Sequence, residues 1–501
     1  MLTRRAVGWT FAALLLFYTL STNGRILSPD AVIRASIAGE PPGFLAAGAD
    51  GRSYPKYEVG PTLVALPFVA LGLLVERLAP TGSAAIFRGP LFLWYSPDDA
   101  ASAWRFFAVG LTNAAVVALL CALLYALLAE VGWAPRAAAL ATATAALASP
   151  LWVYSRDLFA EPLAAAGLVL FLLGLERAAR DARRRSAALA GLGFGVSVLA
   201  RTAHLALLPV ALLVTVHALR AVERPRRPGL VVAMVLGLAG PLLLMAWWNW
   251  LRFDSIWSSG YGEELALWTT PPLVGLRGLL TSPGRGLVTH FPLALLAVAT
   301  TPAAWRRSPR TTLFAWGTLV TLLAVYCRWH GWDGGWCFGP RFLVPTVPLL
   351  VMLCAPLFDR PRRWIKSAGT PLLAASAAIA FTGTLVAYTD FDQALRHAGG
   401  PVPYLEVARW SWAAYPPIAY WGFAPKVFYL AATLFGVAAA WPIAALFGAG
   451  LALLVPIGRR AWRLATAPDA AAARFSLGWR SVAAVLLTSV LLAVLAACGG
   501  N

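Results

Sequence analysis

Long apolar runs follow one another along almost the whole chain, separated by polar connections of two alternating kinds. A bilayer crossing takes about 20 apolar residues. On that measure, the runs near 7–23, 104–129, 136–154, 160–178, 186–200, 202–219, 229–250, 287–303, 311–327, 341–358, 369–388, 425–456 and 479–497 predict about thirteen transmembrane helices. Connections of the first kind are short and arginine-rich: Arg4-Arg5, Arg136, Arg183-Arg184-Arg185, Arg224 to Arg227, Arg306-Arg307, Arg362-Arg363 and Arg459-Arg460. The positive-inside rule makes these cytoplasmic, together with the N-terminus. Connections of the second kind carry Asp30, Asp50, Lys56, Asp157, Glu161, Asp254, Asp333, Asp390 and Glu406 among Trp, Tyr, Gly and Pro, and so face the opposite, extracytoplasmic side.

Strict alternation also decides the apolar stretch 60–75. Counted as a crossing, it would put Arg136 and the later arginine clusters outside. It is therefore expected as a short re-entrant or interfacial helix, broken by Pro61 and Pro67, within one long outer loop, 24–103. The run 425–456 exceeds one straight crossing, and Pro442, Gly448 and Gly450 predict a kink or tilt. The organisation expected is a first transmembrane module over 1–358 and further helices over 359–501 with an outer loop at 389–424.

Composition agrees with this pattern and removes alternatives. Hydrophobic residues are 59% of 501 positions and charged residues 13%, a balance for a polytopic all-α membrane protein rather than a water-soluble one. A net charge of +19 would point to nucleic acid in a soluble chain. Here the excess is arginine at loop ends, where topology and anionic headgroups account for it, so no nucleic-acid partner is expected. Lysine occurs only at 56, 366 and 426, which singles out Lys56 in an outer loop. The five cysteines have no zinc-site spacing; Cys327 and Cys337 flank one outer loop and are expected as free thiols rather than a disulfide.

Several outer segments carry groups able to do chemistry. Asp30, just after the first span, is placed either to cap a short helix or to accept a proton from a bound hydroxyl or amine. Arg52, Tyr54, Lys56 and Tyr57 make either a phosphate cradle or a belt of aromatic residues and snorkelling cations. Asp157 and Glu161 are four apart, so a helix beginning at this turn would put both on one face at its N-terminus. There they either complement the dipole or face an acceptor or a divalent ion. Trp332, Asp333, Trp336 and Arg341 lie in a loop with four glycines, suited to covering a sugar ring or lipid headgroup. The run Thr281-Ser282-Pro283-Gly284-Arg285-Gly286 presents Arg285 and backbone N–H groups to an anion, and Arg201 and His204 are polar groups at membrane depth.

These loops, in this order, resemble the membrane-embedded GT-C glycosyltransferases, in particular the branch related to aminoarabinose transferase and the protein mannosyltransferases. The matching residues are Pro29-Asp30 after the first span, the long outer loop, Lys56 within Tyr54-Pro55-Lys56-Tyr57, and the acid-proline pair Glu161-Pro162. Pro55 stands where the aminoarabinose enzymes carry an acid before the lysine, and Asp30-Ala31 replaces an acidic doublet. The resemblance implies a GT-C-like bundle with interfacial helices in the first outer loop, in a bacterial inner membrane. It also implies transfer of a sugar from a polyprenyl-phosphate donor to a lipid, glycan or protein acceptor on the extracytoplasmic face. Asp30 would then be the base, Lys56, Arg52, Arg285 and Arg341 would meet the donor phosphate, and Glu161 and Asp157 would orient the acceptor or hold a divalent metal ion, which the sequence does not require. Tyr54, Tyr57, Trp332, Asp333 and Trp336 would contact sugar or acceptor. The competing reading is a transporter or flippase of lipid-linked glycans, which would place charges near the bilayer midplane and show internal repeats.

Overall fold

The computed structural model describes residues 2–22, 45–78, 103–359, 361–385, 387–399 and 401–420. Asp30, the predicted spans 425–456 and 479–497, and most of the first outer loop lie outside them. The described chain is a helical bundle with one small antiparallel hairpin. In order, its elements are α1 (Leu2–Leu20), β1 (Leu45–Ala47), β2 (Ser53–Pro55), α2 (Val59–Leu78), α3 (Ala103–Gly110), α4 (Thr112–Glu130), α5 (Pro135–Leu147), α6 (Pro150–Tyr154), α7 (Glu161–Asp181), α8 (Arg184–Ala200), α9 (Leu208–Arg220), α10 (Arg227–Phe253), α11 (Pro272–Thr281), α12 (Ala294–Arg307), α13 (Pro309–Tyr326), α14 (Val347–Leu353), α15 (Arg363–Leu385), α16 (Tyr388–Ala398) and α17 (Tyr404–Trp410).

The sequence of α4 is apolar on every side, which suits a helix surrounded by protein. It lies at the centre, 89% buried over its apolar window, with α7 beside it at 83%. At the other extreme is α10, only 17% buried, with Val232, Val235, Leu236 and Leu243 exposed. In water such a face would be untenable; against lipid tails it costs nothing. Between α7 and α10 runs α8, whose small residues let backbones meet: a Cβ on Gly191 would collide with the Met234 carbonyl of α10. Close approach through small side chains is how helices gain dispersion energy in a membrane.

Five helices of the described residues are long and apolar enough to cross a membrane, and a sixth if α15 and α16, bent 74° at their junction, form one broken span. The chain is a multi-pass membrane protein, but the predicted count of about thirteen is not reproduced. Several runs read as single crossings are interrupted. The 136–154 run breaks at Ser149-Pro150, where the Ser149 hydroxyl accepts from Leu151 N at 3.2 Å. The 341–358 run is a 3-10 turn, α14 and a second 3-10 turn, all buried. Such breaks survive at membrane depth because surrounding helices shield the freed backbone groups from lipid.

The 60–75 segment also differs from its expectation. It forms the continuous 20-residue α2, with Pro67 inside it. Pro61 sits in its first turn, where no N–H partner is lost, and Pro67 removes one bond without ending the helix.

Candidate functional site

One end of the bundle gathers charged side chains from five separate segments. The first of these is fixed by the hairpin. Gly51, at φ +77°, turns β1 into β2, and Asp50 closes the turn by accepting from Arg52 N at 3.0 Å and the Tyr54 hydroxyl at 2.7 Å. That hydrogen bond from Tyr54, joined by the Arg52 amide, holds the Asp50 carboxyl below its ordinary range. Buried Arg252, at the end of α10, donates to the Pro55 carbonyl and so ties the hairpin to the bundle. Lys56 follows at once. Its ammonium donates to Glu264 Oε1 at 2.6 Å and lies 5.9 Å and 5.8 Å from the rings of Tyr57 and Tyr261.

Two residues on, Glu58 reaches the junction of α8 and the 3-10 turn after it, where Glu58 Oε1 accepts from Thr202 N at 3.2 Å. Arg201, the C-cap of α8, donates to Glu161 Oε1 on the first residue of α7 and contacts the Tyr261 hydroxyl at 3.5 Å. Arg341 donates to the same Glu161 oxygen at 3.0 Å. The Glu161 side chain is 1% exposed, and the two guanidinium groups are 8% and 10% exposed. Two cations thus share one buried carboxylate, and Tyr261 links Arg201 to Lys56, its hydroxyl near the guanidinium and its ring near the ammonium. Glu58 Oε2 and Arg201 Nε are buried there with no hydrogen-bond partner among the described residues.

The acid-bearing turn is organised differently from the sequence expectation. The helix begins at Glu161, with Pro162 in its first turn, so Asp157 is not on it and the two carboxylates do not share a helix face. Asp157 instead accepts from Leu158 N at 2.9 Å and the Tyr388 hydroxyl at 2.6 Å. Asn113 of α4 pins this turn, its amide donating to the carbonyls of Tyr154, Asp157 and Phe159. Among the described residues no three His, Cys, Asp or Glu side chains gather as a metal site would require.

Other predicted site residues are engaged elsewhere. Arg52 is 82% exposed and pairs with Asp50 at 3.7 Å. Tyr54 is held by that same aspartate, whereas Tyr57 packs edge-on to Tyr261 at 6.4 Å, beside Lys56. Arg285, 3% exposed, pairs with Asp392 at 3.3 Å and donates to the Gly335 carbonyl at 3.2 Å. Trp332 is buried against Trp410 and beneath Arg409, which pairs with Asp333 at 3.1 Å. The Trp336 indole reaches the Tyr404 hydroxyl at 3.5 Å. Gly334 and Gly335 have φ of +78° and +68°, and their left-handed turn aims successive carbonyls at Arg341 and Arg285. Cys327 and Cys337 are free thiols.

Sequence reasoning flagged Arg201 without joining it to Glu161, and passed over Glu58 and Glu264. The available signal was scarcity: with 22 acids in 501 residues, acids beside tyrosines in two outer connections stand out.

No protein-family model matches the sequence, and no curated protein matches it. Among solved structures the chain is similar to the crystal structure of ArnT from Cupriavidus metallidurans bound to undecaprenyl phosphate, at 17% identity and a TM-score of 0.47, covering 84% of this chain and 76% of that one. A likeness of that size assigns no activity, and the site stands on its own residues.

Proposed function

We propose that this chain is a membrane glycosyltransferase that moves a sugar from a polyprenyl-phosphate carrier to a lipid, glycan or protein acceptor on the extracytoplasmic face. The observation that carries this reading is the convergence of Arg201 and Arg341 on Glu161, with Tyr261 reaching from Arg201 to Lys56. Lys56 and the two arginines are held at one end of the bundle by ion pairs with Glu264 and Glu161. Fixed cations of this kind suit a phosphate that gains charge as its bond to the sugar breaks.

In the reaction proposed, an acceptor hydroxyl or amine attacks the sugar's anomeric carbon, the carbon–oxygen bond to phosphate breaks, and the polyprenyl phosphate departs. Lys56, Arg201 and Arg341 stabilise the departing phosphate. Asp30 takes the acceptor's proton, and Glu58, whose Oε2 is buried and unpartnered among the described residues, orients the acceptor. Charge supports this sidedness: the opposite end of the bundle holds Arg180, Arg183, Arg224, Arg226, Arg306 and Arg307 near the ends of α7, α9, α10 and α12, as the positive-inside rule asks of a cytoplasmic face. The transporter reading has less support, because Glu161, Arg201, Glu176 and Arg310 pair at helix ends rather than near the bilayer midplane.

The test is purified protein in nanodiscs supplied with a panel of radiolabelled polyprenyl-phosphate sugars, following release of the free carrier phosphate. Turnover of at least one donor, lost in Lys56→Met and Asp30→Asn, is expected. Failure to consume any lipid-linked sugar in the presence of membrane extract as acceptor would sink the proposal.

A further inference from the structure

The arginine-rich end of the bundle holds a cavity of about 300 Å³, unconnected with the site above. Its walls come from the loop after α4, the end of α12 and the approach to α15; the residues that matter are Trp133, Arg306, Arg307, Asp359, Arg362 and Ile365. Arg307 is committed, donating to the Gly132 carbonyl and lying 5.1 Å from the Trp133 ring. Arg306 and Arg362 are exposed, and neither they nor the Asp359 carboxylate has a side-chain partner among the described residues.

Three guanidinium groups around one cavity repel one another unless an anion joins them, and Asp359 offsets only one. Depth identifies where that anion comes from. Trp305 and Trp364, next in sequence to the lining residues and 47% and 46% exposed, stand at the same end. Indoles pointing outward beside arginines at the ends of apolar helices mark the headgroup layer. From there, Val298 and Leu295 expose an apolar track along α12. The volume suits a headgroup rather than a whole lipid, and basic pockets between helix ends are a recurring form of lipid-phosphate site.

We propose that this pocket binds the headgroup of an amine-bearing phospholipid, with the phosphate between Arg306 and Arg362 and the ammonium against Asp359. A headgroup with a phosphate but no amine would leave that carboxylate without a counter-charge, so Asp359 confers preference as well as affinity. The inference is independent of the reaction at the other end.

The test is native mass spectrometry of the lipid-stripped full chain in detergent, titrated with dioleoyl phosphatidylethanolamine, dioleoyl phosphatidylglycerol and inorganic phosphate. Wild-type protein is expected to retain phosphatidylethanolamine over phosphatidylglycerol. The Arg306→Gln/Arg362→Gln double variant is expected to retain it roughly fivefold less or worse. Arg226→Gln, which removes an exposed cation paired with Glu223, should behave as wild type. Asp359→Asn should abolish the preference while leaving binding, and that switch decides the matter alone should the double variant misfold. Equal retention of the two lipids by wild type, an unchanged preference in Asp359→Asn, or displacement of lipid by inorganic phosphate would overturn the proposal, the last by making free phosphate the ligand.

Discussion

Replacing Glu161 with glutamine tests the centre of the site directly. The substitution keeps shape and removes one charge from a carboxylate that is 1% exposed and shared by two guanidinium groups. Removing the shared anion takes a counter-charge from two buried cations at once. Removing either arginine still leaves the carboxylate one partner. The expected cost of Glu161→Gln is therefore that of breaking a buried ion pair, about 3–5 kcal/mol. Arg201→Gln or Arg341→Gln alone should cost that of one charged hydrogen bond, about 1.5–3 kcal/mol. Each guanidinium also keeps secondary contacts, Arg201 with the Phe342 ring at 5.1 Å and Arg341 with the Gly334 carbonyl at 3.0 Å, which hold Glu161→Gln towards the lower end. Unfolding in mixed SDS and dodecylmaltoside micelles reads these differences. The double variant Glu161→Gln/Arg201→Gln should lose less than the sum of its parts, by roughly 0.5–3 kcal/mol of coupling. If Glu161→Gln proves no more destabilising than either arginine variant, the carboxylate is not the hub, and the electrostatic account of the site fails with it.

Three other outcomes follow from the packing. Asn113→Leu strips the acid-bearing turn of its amide donor and leaves carbonyls of Tyr154, Asp157 and Phe159 unsatisfied; a loss of about 1–3 kcal/mol is expected in the same unfolding assay, with weaker transferase activity, whereas unchanged stability would mean the turn is held by other means. Gly167→Leu would drive a Cβ to within 2.6 Å of the Gly193 carbonyl and Ser197 N, so α7 and α8 must separate; the variant should express poorly or unfold early, and a wild-type unfolding midpoint would contradict the close packing. Asp392→Asn takes the counter-charge from Arg285, which is 3% exposed, and should cost about 3–5 kcal/mol in the same assay; unchanged stability would mean that the Gly335 carbonyl alone holds Arg285.

What the sequence determined by itself is what depends on neighbours along the chain. Hydropathy made this a helical membrane protein, and the arginine clusters marked one set of helix ends. Those readings succeed because desolvation cost acts locally. Local pattern alone misjudged α2, since a single proline inside a helix held by neighbours loses one hydrogen bond and not the helix. It also misjudged the partition of the acids, Asp157 to Tyr388 and Glu161 to Arg201 and Arg341. Only the tertiary structure decided those pairings. Lys56 meets Glu264 across 208 positions and Arg341 meets Glu161 across 180. A buried charge takes whichever counter-charge the packing of other helices brings within about 3 Å, and no periodicity along the chain records that distance.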